Sequence, residues 1–288
     1  MNDTPRVSIL IPCFNEEKGL ELVLSKIKAI DLRENYEVIV IDDGSTDKTF
    51  DVAKKYGVIV IRHPYNKGYG ASLKAGTRRA SSNIIVIMDG DGQHNPEDIK
   101  RLISDIGTYD MVVGVRSAKS PSSLYKRLGK ALLNLVANYL SGQKILDLNS
   151  GFRAINKERL KEFIHILPNG FSFSTTITLA FFKEAYNVKF VPITTMARYG
   201  GRSRVNHLKD GLQTMLLIIR VIMLFNPLKV FIPMSLILGC FGVMFSFYGI
   251  IKYHSFPRTG VTAILASIMI FVLGVLADQI AMIRRHDK

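Results

Sequence analysis

The chain has 288 residues, no tryptophan and two cysteines. Cys13 ends an apolar run and Cys240 lies inside a long uncharged stretch. Two thiols so placed exclude a disulfide framework and fit a reduced compartment. A secretory leader is not expected, because Asp3 and Arg6 precede only the short apolar run Val7–Ile11. Two phosphate-binding signatures are missing: no Gly-x-Gly-x-x-Gly follows the first apolar run, and there is no Walker lysine loop. Gly68-Tyr69-Gly70 is too short and too late to replace either. Acid is scarce in one region. Residues 116–230 carry 18 Lys and Arg against five Asp and Glu, whereas residues 1–115 carry 15 against 17. Nearly all of the net charge of +14 therefore sits in the middle third and calls for an anionic partner. Nucleic acid is set aside, because the basic block holds no nucleic-acid motif and runs into long apolar segments. Lipid headgroups, or a phosphate at a bilayer surface, fit better.

What is present is organised around Ile84-Ile85-Val86-Ile87-Met88-Asp89-Gly90-Asp91-Gly92-Gln93-His94. Five apolar residues, mostly β-branched, predict a strand buried on both faces. Asp89 and Asp91, at i and i+2, leave its carboxyl end on the same side, with Gly90 making room for a ligand. Two hard oxygen donors at a strand end suit Mg²⁺ or Mn²⁺ carrying a diphosphate. The plain alternative is a polar turn built from ordinary turn formers.

Around this stretch, strands are expected at Val7–Ile11, Tyr36–Ile41, Val58–Arg62 and Met111–Val115. Helices are expected at about 17–29, to about Tyr56, at Ala71–Ala80 and at Pro96–Ile106. Leu20, Val23, Leu24 and Ile27 give the first helix its apolar face. Alternation with short connections predicts an α/β fold with a mostly parallel sheet, binding a nucleotide across its carboxyl edge.

Ile-Pro-Cys-Phe-Asn-Glu, Val-Ile-Asp-Asp-Gly-Ser-Thr-Asp, Asn-Lys-Gly-Tyr-Gly and Asp-Gly-Asp-Gly-Gln follow one another over residues 7–93. In this order they resemble family 2 glycosyltransferases of the GT-A fold, and within them the dolichol- or polyprenyl-phosphate sugar synthases. The resemblance implies that Pro12, Glu16, Asp42, Asp43 and Gly68 line a nucleotide pocket. It implies that Asp89, Asp91 and Gln93 hold the metal and the donor diphosphate. Gly90 replaces the alanine of the common Asp-Ala-Asp form, at a position that contributes no side-chain ligand. Asp147-Leu148-Asn149-Ser150-Gly151-Phe152-Arg153 resembles the family's Asp-x-x-x-Gly-Phe-Arg segment, which makes Asp147 an orienting or base residue. Arg198-Tyr199-Gly200-Gly201-Arg202-Ser203-Arg204 resembles its Arg-x-x-Gly-x-Ser-Lys loop, with Arg204 where lysine is usual.

Ser120–Ser141 and Asn206–Phe225 read as amphipathic helices with basic rims, suited to a bilayer interface. With so few acids nearby, Arg116, Arg127, Arg153 and Arg202 are expected to bind the lipid phosphate. Residues 230–251 and 259–277 are uncharged runs of 22 and 19 residues, long enough to cross a bilayer. The seven-residue connector Lys252–Arg258 makes them a hairpin with both ends on one side. The flanking basic residues put that side in the cytosol. The expected layout is a cytosolic catalytic domain at 1–205, an interfacial helix at 206–227 and a two-span anchor at 228–283.

The expected activity is transfer of a hexose from UDP- or GDP-hexose to polyprenyl or dolichyl phosphate, with Mg²⁺ or Mn²⁺. Transfer to a hydroxyl lipid or a polysaccharide is the alternative, followed by a non-catalytic scaffold. Processive synthases of the family carry Gln-x-x-Arg-Trp, which a chain without tryptophan cannot. The nucleotide base, the hexose, the polyprenol and the oligomeric state, including a homo-oligomer, stay open.

Overall fold

A computed structural model describes residues 6–30, 35–116, 150–170, 172–196, 226–255 and 257–286, with positions 138, 142, 146, 147, 219 and 223. Residues Met1–Gly211 and Leu212–Lys288 form two compact units.

The first unit holds a seven-stranded sheet in the order β3-β2-β1-β4-β6-β5-β7. Its strands are β1 Val7–Cys13, β2 Tyr36–Asp42, β3 Ile59–Arg62, β4 Ile84–Ile87, β5 Met111–Arg116, β6 Arg153–Asn156 and β7 Val188–Ile193. β3, β2, β1 and β4 run parallel, as the alternation of strands and helices predicts. β6 is antiparallel to both β4 and β5, and β7 runs parallel to β5. All seven residues of β1 are buried, as a central strand covered on both faces requires. Pro192 lies in edge strand β7, where a missing N–H costs least.

The helices of this unit are α1 Glu17–Ala29, α2 Thr49–Lys55, α3 Tyr69–Arg79, α4 Ile99–Ile103, α5 Lys157–Phe163 and α6 Phe173–Lys183. Leu20, Val23, Leu24 and Ile27 of α1 pack with Val7, Ile9, Ile11 and Cys13 on one face of the sheet. α3 lies on the other face, where Gly76 brings its backbone against Leu10 and Ile41. The segment expected as one helix from Pro96 begins instead as a 3₁₀ turn at Pro96–Asp98, capped by the Asn95 side chain, before α4. The amphipathic segments at 120–141 and 206–225 fall almost wholly outside the described residues.

The second unit contains α7 Leu228–Tyr253 and α8 Arg258–His286, both long and apolar enough to cross a membrane. His254 ends α7 in the left-handed region, and α8 begins four residues later. The two helices pack through small residues, the device membrane helices use to bring backbones close. A Cβ at Gly242 would lie 2.9 Å from the Ile264 backbone nitrogen, and one at Gly274 would lie 2.5 Å from Phe231 Cβ. The Ser267 hydroxyl donates across the pair to the Ser235 carbonyl at 2.8 Å.

Candidate active site

The carboxyl ends of β1, β2 and β4 bring three polar loops to one edge of the sheet. The first two are laced together. The Asn15 N–H donates to Ser45 Oγ at 3.0 Å, and the Thr46 N–H returns a bond to Asn15 Oδ1 at 2.8 Å. The N–H groups of Glu16 and Glu17 donate to Thr49 Oγ1 at 3.0 Å and Asp47 Oδ2 at 3.2 Å. Asn15 takes φ 56°, a conformation that Asn tolerates better than most residues. The polar run after β2 thus satisfies the start of α1 as well as its own turn.

Asp42 and Asp43 both reach this edge, and both carboxylates are engaged within the protein. Asp42 is fully buried, accepting the Ser45 N–H at 2.9 Å and facing Arg62 Nε at 3.3 Å. Asp43 accepts from the N–H groups of Lys67 at 2.9 Å and Gly68 at 2.8 Å, and pairs with His63 Nδ1 at 2.7 Å. It therefore braces the loop that leads into α3.

The third loop follows β4. A Cβ at Gly90 would lie 2.4 Å from Cys13 Sγ, so the sulfur fills the space an alanine methyl would need. Cys13 is buried, and burial first, then the carboxylates of Glu16, Asp42, Asp89 and Asp47, pushes its thiol well up, so it stays neutral. On the other side Gly19 lets α1 close on the loop, its missing Cβ pointing to within 2.5 Å of the Gly90 carbonyl oxygen. Asp91, half-buried, accepts the Gln93 N–H at 3.0 Å, which fixes the turn.

Asp89 is held from three sides. His94 Nε2 is 3.6 Å from its Oδ2, the Tyr69 hydroxyl lies beside it, and Gly151 covers it. A Cβ at Gly151 would lie 2.7 and 2.9 Å from the two carboxylate oxygens. Burial and then Asp89 push the Tyr69 hydroxyl well above its usual range, so it is a neutral donor. His94 is buried and stacks on Phe152, ring centroids 5.0 Å apart. The loop is also tied to the chain that precedes the arginine-rich segment, since the Met196 N–H donates to the Gln93 carbonyl at 2.9 Å.

Among the described residues no group of three His, Cys, Asp or Glu side chains is placed to hold a metal ion. Asp89 and Asp91 fit a different arrangement. One or two carboxylates suffice for Mg²⁺ when phosphate oxygens and water complete its shell. Asp89 keeps 29% of its side chain exposed, and Asp91 uses one described oxygen for the Gln93 N–H.

A profile of glycosyl transferase family 2 matches residues 8–164. The chain belongs to this family. A profile of the GtrB C-terminal hairpin matches residues 226–283 of this family 2 glycosyltransferase. It is 34% identical over 216 residues to an uncharacterized protein of Methanocaldococcus jannaschii, covering 71% of this chain and 87% of that one. It is 34% identical to the dolichol-phosphate mannosyltransferase of Pyrococcus furiosus over 69% of this chain, and spans 59% of that protein's length. A UDP-N-acetylglucosamine–dolichyl-phosphate N-acetylglucosaminyltransferase of Methanococcus voltae is 30% identical over 66% of this chain and 85% of its own. Among solved structures, glucosyl-3-phosphoglycerate synthase of Mycobacterium tuberculosis superposes with TM-score 0.62 at 21% identity. That match covers 76% of this chain and 80% of the other, and at this identity it speaks to the fold, which is GT-A-like. That protein was crystallised with Mn²⁺ and UDP-glucose, and also with Mg²⁺ and UDP.

For this family 2 glycosyltransferase the structure brings Pro12, Glu16, Asp42, Asp43, Gly68, Asp89, Asp91 and Gln93 to the sheet's carboxyl edge or the loops that leave it. Asp147 is buried, within electrostatic range of Arg153. Arg153 requires a correction. Expected as an accessible ligand for a lipid phosphate, it is fully buried. Its guanidinium donates to the Ser174 carbonyl at 3.1 Å and Thr178 Oγ1 at 3.0 Å, and to the Ser150 carbonyl. Burial lowers its pKa to about 10, against the pull of Tyr69, Asp147 and Asp89. The cation survives at neutral pH, and its partners belong to the protein itself. The scarcity of acid in sequence hid this, because the guanidinium's two terminal nitrogens donate to backbone carbonyls and a hydroxyl and to no carboxylate. Arg116 closes β5, its side chain outside the described atoms, and Arg127 and Arg202 lie outside the described residues. Sequence reasoning gave no role to Tyr69, His94 or Ser174, although Tyr69 stands inside a quoted motif and His94 directly follows Gln93.

Proposed function

We propose that this chain is a membrane-bound, inverting hexosyltransferase that moves a hexose from UDP- or GDP-hexose to polyprenyl or dolichyl phosphate. The observation that carries this reading is a carboxylate pair at the nucleotide edge of a GT-A-like sheet, in a chain that also carries a two-helix apolar hairpin. The named relatives, which act on dolichyl phosphate, support it. So does the excess of 13 positive charges in residues 116–230, which suits an anionic acceptor at a membrane surface.

Asp89, Asp91 and Gln93 are the groups that would hold a divalent cation with the donor diphosphate. A Mg²⁺ or Mn²⁺ bound there would stabilise the charge of the departing nucleoside diphosphate. Asp91 is oriented for this by the Gln93 N–H, and Gly90 lets the loop pack directly on Cys13 beneath it. An acceptor phosphate oxygen attacks the anomeric carbon opposite the leaving group, which gives inversion. A phosphate monoester has a second pKa of ~6, so the attacking oxygen is already anionic and a strong general base is not required. Asp147 then serves as an orienting group. Arg127, Arg202 and Arg116 stand for the lipid phosphate. The basic residues beside both apolar spans support a cytosolic catalytic unit.

The test is transfer of radiolabelled sugar from each nucleotide donor into lipid. Label should enter a phosphatase-resistant, mild-acid-labile lipid with polyprenyl phosphate and none with the dephosphorylated alcohol. Efficient labelling of the free alcohol would refute the phosphate acceptor and favour the hydroxyl-lipid alternative.

A further inference from the structure

The buried side chains beneath Asp89 form a connected set drawn from three separate segments. Tyr69 opens α3, immediately after the loop braced by Asp43. Its hydroxyl oxygen is buried, with the side chains of Asp89 and Ser174 beside it. Ser174 sits in the first turn of α6, and its carbonyl accepts both from the Arg153 guanidinium and from Thr178 Oγ1 at 2.8 Å. Gly151 closes the set from above, because a Cβ there would lie 3.0 Å from the Tyr69 hydroxyl as well as against both Asp89 oxygens. A carboxylate facing a metal on one edge needs a partner on the other, or it rotates between ligand geometries. Here the group at hand is a neutral hydroxyl with a serine beside it, and a fully buried cation lies close by to offset the charge.

We propose that Tyr69 is a positioning residue for the donor site: its hydroxyl, ordered by Ser174 and balanced by Arg153, holds the Asp89 carboxylate in the single orientation that faces the metal–diphosphate. This rests on the metal-dependent donor site proposed above. It also assigns Arg153 to the floor of the donor site and removes it from the acceptor. Through the Asp43-braced loop, α3 joins the nucleotide side of the edge to the metal loop, so that one helix start sets both.

The experiment compares full-length wild-type protein with Tyr69→Phe and Ser174→Ala in detergent, measuring Mn²⁺ binding by electron paramagnetic resonance with UDP or GDP present. Melting temperature and the apparent KM for each substrate are read alongside. Tyr69→Phe keeps the ring and removes only the donor. A lost hydrogen bond to a charged group lowers Mn²⁺ affinity about tenfold or more, and raises the KM for the nucleotide sugar with it. The KM for polyprenyl phosphate and the melting temperature stay within about twofold and a few degrees of wild type. Ser174→Ala moves Mn²⁺ affinity in the same direction by a smaller factor. Unchanged Mn²⁺ affinity in folded Tyr69→Phe overturns the inference and leaves the proposed function standing. A rise in both KM values with a fall in melting temperature makes Tyr69 merely structural and overturns it too. Should Tyr69→Phe fail to fold, unchanged affinity in Ser174→Ala overturns it. If wild type binds no Mn²⁺ with either nucleotide, both this inference and the donor-site reading fall.

Discussion

The two compact units treat apolar side chains in opposite ways. In the α/β unit Ile9, Leu10, Ile11, Ile39 and Ile41 are fully buried, whereas in the hairpin Ile237 and Ile251 are 72% and 75% exposed. The polar groups differ in the same sense. The α/β unit spends its hydroxyls and carboxylates on loops far apart in sequence, such as Asn15 with Thr46, while hairpin hydroxyls bond to nearby or facing backbone carbonyls. One unit makes its own core against water. The other leaves its apolar surface outward, which is stable only if its surroundings are as apolar as itself. A water-facing surface of that size would be an aggregation site.

The sharpest way to break the comparison is at the acidic edge. Asp91→Asn changes charge and hardly volume, so the α/β unit should keep its melting temperature. Sugar transfer should fall about 10²–10³-fold, the usual cost of losing one group that stabilises developing charge. Near-normal transfer at saturating Mg²⁺ or Mn²⁺ would remove Asp91 from the metal site.

Gly90→Ala probes how tightly the same loop is packed. The new methyl meets Cys13 Sγ at 2.4 Å, and overpacking of this kind costs about 1–3 kcal/mol. Combining it with Cys13→Ala makes room for the methyl and should recover most of the loss. Additive losses in the double variant, measured by thermal unfolding and by the KM for nucleotide sugar, would show that the two positions are not in contact.

In the hairpin the corresponding probe is Gly242→Leu, which drives a side chain into the Ile264 backbone. Detergent-solubilised protein should lose about 1–3 kcal/mol of hairpin stability, while the α/β unit unfolds at its usual temperature. A single transition shifted as a whole would show that the units unfold together.

Glu37 is expected to show the smallest effect. Burial tends to raise its pKa, but bonds from the Ser8 hydroxyl and from the N–H and hydroxyl of Ser81 outweigh this and lower it. A depressed carboxylate stabilises the folded state above its unfolded pKa of about 4.3 and loses that contribution as pH falls through the folded value. Glu37 is half-buried, so solvent screening keeps the contribution to about 0.5 kcal/mol. Glu37→Gln should therefore destabilise slightly at pH 7 and approach wild type as pH falls through the folded value, by chemical denaturation at each pH.

Most of the first half was legible in the chain alone. The expected helix at about 17–29 forms at Glu17–Ala29, and the expected strands one to five are all present within two residues at either end. Each carries its own signal, because a strand buried on both faces must be a continuous apolar run and a helix on its face must repeat at helical spacing. The apolar spans were legible for a related reason, since uncharged length by itself answers the bilayer's thickness. β6 was not. Arg153-Ala154-Ile155-Asn156 is short and polar at both ends, and only pairing with β4 and β5 makes it a strand. α6 was missed as well: Thr175, Thr176 and Thr178 weaken helix propensity, and their burial under the sheet compensates.

The sequence by itself determined the polarity of the fold, the edge on which chemistry happens and the pair of carboxylates that stands there. Each follows from residues close together along the chain. Tertiary structure alone decided what those carboxylates face. That Tyr69, His94 and Gly151 converge on Asp89, and that Arg153 turns inward to Ser174 and Thr178, depends on strands β4 and β6 lying side by side in opposite directions. Burying these charges is costly, and the contacts offset that cost. Apart from His94, those partners stand 20 or more residues away along the chain, and no local pattern can announce them.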